Sequence, residues 1–493
     1  MSYAPHICEI LVIGGGPAGA SIARLLAKRG HAVIVAARTI DDRRGIAESL
    51  PPSTRKVLAA IGVLDIVENS SVCRNVGNAV WWGSGDARVE DFQAPGDAPG
   101  LQIWRPDFDC LLADEACRAG AGWIAGNVTG VEFDDACARA TVATIDGRTQ
   151  SVTASFVVDA SGRTAVLGRT GRRPVPGLRT HAWIGSWTYR GADREDADTR
   201  TFVETTDDGW VWSVPVRGGR CVTAMVDPDR TRFAGDGRLE SRYLGELAKA
   251  RHIGGLLDGA SLETVWGCDA SLYETAELGG PRHLIVGDAA SFIDPLSSFG
   301  VKKALTSAWM GAAVVHTCLI DPAVGPAARD LFESREREAY VTSVRRSAGY
   351  ARDALAAHDS AFWRARSAAD AALPTPASSS AVDMAVAEAF DALRARPAVQ
   401  LRPGAAVEFA WQPAFRGDRV ALEPALRTAH DVSPIRFVDN VDLTRLVALV
   451  AGRRPVGDLF EGYCAREAPV PLPSFLKALS VLVAGRVLEP VDC

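Results

Sequence analysis

Lysine is scarce in this chain, with six among 493 residues, at positions 28, 56, 249, 302, 303 and 477. No basic run breaks the overall balance of 54 Lys and Arg against 60 Asp and Glu, a net charge of −6. A grip on phosphate backbones is therefore not expected, which argues against nucleic acid as a partner. The ten cysteines stand singly, with no CxxC pair and no Cys/His spacing suited to tetrahedral zinc, so no metal site is expected. They read as small buried hydrophobes in a reducing cytoplasm. MSYAPHICEI has no basic stretch followed by an apolar one, which predicts the absence of an export signal and a cytoplasmic protein. Long hydrophobic runs are missing as well. The longest, Ala304 to Ile320, has 17 residues and is broken by Thr306, Ser307, His316 and Thr317. It is short and polar for a membrane span and reads as a buried helix.

What is present fits an ordinary soluble protein, 47% hydrophobic and 23% charged, long enough for about three domains. Residues 9 to 38 read as strand, glycine turn, helix and strand, a βαβ unit. ASFVVDASGR at 154 to 163 and RHLIVGDAAS at 282 to 291 are short apolar runs ending in Asp and Gly, the pattern of parallel strands whose carboxyl ends face a ligand. One nucleotide-binding sheet is expected to collect all three. Between 181 and 226 the alternating stretches, rich in Trp, Val and Thr with DDG and GG turns, predict an inserted antiparallel sheet. After Pro322, Ala, Arg and Glu at helical spacing predict long surface helices. LPTPASSSA at 373 to 381 has the composition of a linker.

The strongest local signal is GGGPAG at 14 to 19, which follows a strand and opens a helix. Gly14 permits the tight turn, Gly16 lets the backbone approach a pyrophosphate, and Gly19 allows close helix packing. Pro17 and Ala18 complete the loop, and the helix N-terminus favours negative charge. The acidic residue usual at the end of the second strand is missing. Ala37 stands there, followed by Arg38, so the ribose contact must come from elsewhere, with Arg38 at hand.

Further motifs resemble those of the flavin-dependent aromatic hydroxylases and their relatives, the flavin-dependent halogenases, across most of residues 9 to 370. RPDFDCLL at 105 to 112 is similar to a segment whose arginine, here Arg105, approaches the flavin. VVDASGR at 157 to 163 resembles the strand-DxxG motif. LIVGDAAS at 284 to 291 resembles the motif whose aspartate, here Asp288, binds the ribityl chain. WVWSVP at 210 to 215 and FIDPLSSFG at 292 to 300 are similar to two strings of the halogenase branch. The resemblance implies FAD as cofactor, with Pro295 and Gly300 beside it and Ser298 and Phe299 toward the substrate. Trp210 and Trp212 share one strand face, as core packing or as walls of a substrate pocket. Trp81, Trp82, Trp104, Trp183 and Trp187 extend the aromatic supply, Trp81 being the further substrate candidate. Together they suit an indole or phenol.

Halogenases of this branch relay hypohalous acid through a lysine, and the corresponding segment, CRNVGNAVWWG at 73 to 83, has none. Asn75 or Gly77 takes its place, and neither forms a chloramine-like adduct. Ser297 replaces the acid that tryptophan halogenases place before the serine of the second string. These departures favour oxygen transfer from a flavin C4a-hydroperoxide to an electron-rich ring, a tryptophan or other indole, free or borne on a peptide. Halogenation of an aromatic or carrier-bound substrate is the alternative, and a flavin-binding partner protein without turnover is a third reading. No second nucleotide motif is visible, so NAD(P)H or a separate flavin reductase supplies electrons. Lys302, paired with Lys303 just after Gly300, is the candidate for a catalytic cation; a solvated or snorkelling pair is the alternative. His316 reads as a satisfied core histidine.

The fold expected is α/β: a Rossmann-like FAD-binding domain of the aromatic-hydroxylase type with an inserted antiparallel sheet, a helical segment and a C-terminal winged-helix-like module. Its divisions are 1–75, 100–165 and 280–325 for the FAD domain, 76–99 and 166–279 for the substrate domain, 326–395 for the helical segment and 396–493 for the module. The module weakly resembles peptide-recognition domains, with a helical cap for the core as the alternative.

Overall fold

The run CEILVI is apolar on both faces, as a strand covered by helices on each side must be. It forms the strand His6–Ile13. The computed structural model describes residues 6–491 apart from 39–44, 71, 84, 93–97, 177, 190–197, 231–237, 375–379, 397, 405–406, 428–433 and 451–453. Most of the expected linker at 373–381 thus lies outside the described residues.

His6–Ile13 pairs in parallel with Val33–Ala37 on one side and Thr149–Asp159 on the other. Beyond these, Gly122–Phe133 and His283–Ile285 add further parallel strands, and the antiparallel strand Ala138–Thr144 bridges Gly122–Phe133 and Thr149–Asp159. The register sets Ile13 beside Asp159 and Asp159 beside Ile285. The three apolar runs therefore do share one sheet, and their carboxyl ends open on the same side. Helix Pro17–Lys28 packs against helix Gly300–Ile320, whose Val301, Leu305, Ala308 and Val315 are buried. This is the buried helix expected from the broken apolar run. No described helix is long and apolar enough to cross a membrane.

The second large sheet runs in the order Ala260–Asp269, His181–Tyr189, Gly219–Val226, Gly209–Val216, Thr201–Thr206, Gly77–Trp81 and Arg88–Asp91, antiparallel except where Thr201–Thr206 meets Gly77–Trp81. Alternation along each strand gives it two apolar faces. Trp183, Trp187, Val222 and Tyr243 belong to one, Ile184, Trp210, Val214 and Met225 to the other. Phe362 and Trp363 of helix Ala361–Ser367 pack on that second face, where Trp363 Nε1 donates to Thr206 O at 2.8 Å. The helices after Pro322 are thus not purely surface elements. Gly325–Leu355 buries Phe332, Tyr340, Val344 and Ala348 along one side.

The chain divides into two compact units, Met1–Ala372 with the turn residues 417–419, and the remainder from Leu373. The second unit carries helices Ser380–Ala395, Leu443–Leu449, Val456–Arg466 and Leu472–Ala484, a three-stranded sheet and the hairpin Glu408–Arg416 with Arg419–Arg427. Its division falls before 396 because Leu393 is buried in the same core as Leu401, Phe475 and Leu482, so helix Ser380–Ala395 belongs with the C-terminal elements. The cysteines depart from expectation. Among the nine described, Cys8 and Cys221 are buried while Cys110, Cys117 and Cys268 are exposed. Cys110 and Cys117 stand on the outer side of helix Arg105–Arg118, whose inner side is Phe108, Leu112 and Ala116.

A Cβ at Gly19 would lie 1.9 Å from the carbonyl oxygen of Gly14. No rotamer change relieves a backbone clash, so Gly19→Ala is expected to cost about 1–3 kcal/mol of stability, read as a lowered denaturation midpoint.

Candidate functional site

The site begins where the first strand ends. Gly14 adopts φ +98°, a left-handed conformation that glycine alone takes without strain. A side chain there would strike Ala160 O at 2.4 Å, and one at Gly15 would enter the Trp123 ring at 2.5 Å. Gly16 is extended, and no side chain caps the helix that starts at Pro17, so its first N–H groups are free to meet an anion. These glycines, with Pro17 and Ala18, wall a cavity of about 450 Å3. Gly19 sits behind them and fixes the turn. At the end of the second strand Arg38 reaches the same cavity, its Nη2 3.5 Å from Thr164 Oγ1, with Asn127 also in the wall.

Arg105 and Asp288 line both this cavity and an adjoining one of about 240 Å3. Arg105 opens helix Arg105–Arg118 and is forked between two carboxylates: Nε and Nη2 donate to Asp109 at 2.9 and 3.0 Å, Nη1 to Glu48 at 3.0 Å. Burial works against its charge, but Asp109 and Glu48 outweigh it and hold the guanidinium pKa above the ordinary value. Burial pushes the Glu48 carboxyl up, opposed by Arg105. It also raises Asp288, against the pull of Lys303, Arg105 and Arg163. Asp288 occupies the short turn Gly287–Ala289, and Lys303 ties that turn down from behind. Its buried Nζ donates at 2.6 Å both to Gly287 O and to Ser291 O and stands 3.5 Å from Glu336 Oε2.

Lys302 points elsewhere. Successive residues of a helix diverge by about 100°, and while Lys303 turns inward, Lys302 Nζ bonds Ser53 Oγ at 2.8 Å and lines none of the cavities described here. Lys302, the candidate catalytic cation, thus stands outside these cavities, and the lysine that reaches the Asp288 turn is Lys303. Glu336 balances the buried charge of Lys303.

The adjoining cavity has Trp210, Trp212, Pro295, Ser298 and Gly300 in its wall. Trp210 is also core, edge-on to Phe362 at 6.1 Å, so it packs in the core and borders this cavity at once. Trp81 lies on the opposite face of the sheet, stacked on His252 at 4.5 Å, and does not line the cavities; Trp183 and Trp187 pack on that same face. The period-two alternation that put them there turns Trp82 the other way, into a third cavity of about 300 Å3 that Phe299 also lines. Ser298 borders the second and third cavities and has φ +53°, a strained value for a residue with a side chain. Asn75 is wholly buried. Its Nδ2 donates to Ser49 Oγ at 2.7 Å and its Oδ1 accepts from Gly77 N at 3.0 Å. His316 bonds His31 at 2.8 Å, half-buried.

Several residues of this arrangement were not singled out by the sequence, Asp109, Asn127 and Glu336 among them. Glu48, in AESL, gives no signal beyond one carboxylate among apolar neighbours. Trp123 and Trp266 sit in ordinary strand patterns. Arg163 closes the VVDASGR string and lies 4.2 Å above the Phe292 ring, and only its place in that string hinted at a role.

A family model described as FAD binding domain matches residues 7–344. The chain is 28% identical over 325 residues to the tryptophan 2-halogenase of Chondromyces crocatus, a match covering 64% of this chain and 62% of that enzyme, less than two thirds of its length. Among solved structures, the flavin-dependent halogenase CmlS superposes with a TM-score of 0.75 at 22% identity, covering 100% of this chain and 97% of the other. QhpG, a peptidyl tryptophan dihydroxylase essential for tryptophylquinone cofactor biogenesis, gives 0.68 at 23% identity over 98% and 99%. At these identities the two structures establish a shared fold.

A Cβ at Gly16 would approach Arg105 Nη2 and Asp109 Oδ2 no closer than 3.9 and 4.0 Å. Gly16→Val is therefore expected to melt like the parent while losing retention of FAD, read by absorbance after gel filtration. Lys303→Met leaves Glu336 buried and unpaired, at an expected cost of about 3–5 kcal/mol. Adding Glu336→Leu is expected to restore most of that stability but not FAD affinity, since the carbonyls of Gly287 and Ser291 still lack their donor; equal affinity in the double variant would refute the positioning role.

Proposed function

The chain belongs to the FAD binding domain family, and from that premise we propose that it is a monooxygenase acting on an electron-rich aromatic ring, an indole such as tryptophan, free or within a peptide. The residues fit FAD. The glycine turn leaves backbone N–H groups open at a helix start, where a pyrophosphate is favoured, and the first cavity continues past Arg105 and Asp288 into the second. In this reading Gly14, Gly16, Pro17, Ala18 and Gly19 hold the pyrophosphate, Arg38 approaches the ribose, and Arg105, Asp288, Pro295 and Gly300 surround the flavin.

Bound and reduced, FAD supplies the activated oxygen. The chain's own tasks are to hold the ring, exclude water and keep charges in place. Trp210, Trp212 and Trp266 offer flat apolar walls for an aromatic guest. Arg105, clamped by Asp109 and Glu48, presents a guanidinium that stays charged and oriented as the cofactor changes charge. Lys303 keeps the Asp288 turn from shifting.

The observation that carries oxygen transfer over halogenation is that, among the described residues, no lysine borders the second cavity, where the ring is held; Lys302 stands outside the third, beside Phe299. Relay of hypohalous acid needs a primary amine on the path to the ring. Of the two positions where such an amine is expected, Gly77 has no side chain and Asn75 is sealed by Ser49 and Gly77 N. Electrons come from NAD(P)H or a separate flavin reductase. Protein incubated with reduced FAD, oxygen, bromide and indole substrates is expected to yield products heavier by one or two oxygens, about 16 Da each. A bromide-dependent product reinstates the halogenase, and failure to consume oxygen with any bound indole favours a partner protein without turnover.

All cavity-lining residues named here fall in the first unit. We assign to the second unit the presentation of a peptide-borne substrate. Truncation after Ala372 is expected to leave FAD bound and reaction with free indoles intact while abolishing turnover of a tryptophan-containing peptide. Unchanged peptide turnover would remove that role.

A further inference from the structure

The third cavity meets the second along Ser49, Thr201, Val203, Leu296 and Ser298. Its apolar lining is aromatic, with Trp82, Phe92, Phe299 and Tyr350, and the charged groups that face it are Arg88, Glu90 and Arg346. Two cations share the Phe299 ring: Arg346 Cζ lies 5.1 Å and Lys302 Nζ 4.9 Å from its centroid. Among the described residues Arg346 and Arg88 have no carboxylate partner, and the hydrogen bond of Lys302 goes to the neutral Ser53 hydroxyl. Burial lowers the Lys302 pKa, and the nearby charges of Arg346 and Lys56 lower it further. An oxyanion placed there would satisfy the guanidinium fork and relieve the repulsion at once.

We propose that the Phe299 side of this cavity is a subsite for an anionic group on the substrate, a carboxylate or a phosphate ester, held between Arg346 in the wall and Lys302 outside it, with the ring extending past Ser298 into the second cavity. The proposal rests on the reading of the adjoining cavity as the place where an aromatic ring is modified. The anion then sets how far the ring reaches past Ser298. Glu90, on the strand Arg88–Asp91, faces the same space and opposes a second negative charge.

Calorimetric titration of the FAD-loaded full chain tests this without turnover, using indole-3-acetate, its neutral counterpart indole-3-acetamide, and indoxyl phosphate. At least one anionic probe is expected to bind about tenfold more tightly than the amide, the worth of one charge-assisted pair at a partly exposed site. Whichever of the carboxylate and the phosphate binds better identifies the source of the anion. Arg346→Gln and Lys302→Gln are each expected to reduce the preference, their combination to erase it, and Glu90→Gln to increase it, with retained FAD reporting that each variant is folded. Equal binding of the amide, a preference that survives the double substitution, or no binding of any probe overturns the subsite. The oxygen-transfer reading fails separately, on the bromide-dependent product.

Discussion

The close meeting of Gly14, Gly19 and Ala160 is the constraint on which the rest of the first unit depends. Three strand ends and a helix start converge with less than a side chain of space between them. The helix that follows must then point its free N–H groups across the carboxyl edge of the sheet. A cavity results there whatever fills the surrounding surface. The lining of the first cavity, from Arg38 to Asp288, comes from strand ends, helix starts and short turns along this edge.

Charge is distributed along the cavities by burial rather than by sequence clustering. Glu48, Arg105 and Asp109 form one group and Asp288, Lys303 and Glu336 the next, though no two of these six neighbour each other in the chain. Each buried cation has an acid or carbonyl at hand, which keeps the desolvation cost tolerable. By contrast, among the described residues Arg346 and Lys302, beside Phe299, pair with no carboxylate, and the acid in that cavity wall is Glu90.

Much of the first unit was legible because its signals are local. GGGPAG in its strand and helix setting, the Asp159 and Asp288 strand ends and the Trp-rich alternation each state their own geometry. What failed depends on tertiary phase. Periodicity alone does not say which of two adjacent lysines a helix turns inward, and Lys303 is selected by the carbonyls of Gly287 and Ser291, distant from the helix start in kind if not in number. Likewise alternation tells that Trp81 and Trp82 diverge but not which face meets the cofactor. Glu48 acquires meaning only through Arg105, 57 residues on. The division after Ala372 rather than 395 follows from the burial of Leu393, a single contact that composition does not express.

Trp123 stands against the glycine turn, and Trp210, Trp212 and Trp266 wall the adjoining cavity. A yellow chromophore seated among these four indoles would overlap their emission and drain it. The protein therefore carries its own optical gauge: occupancy of the cofactor site is readable as ultraviolet fluorescence, without a label and before any product has formed.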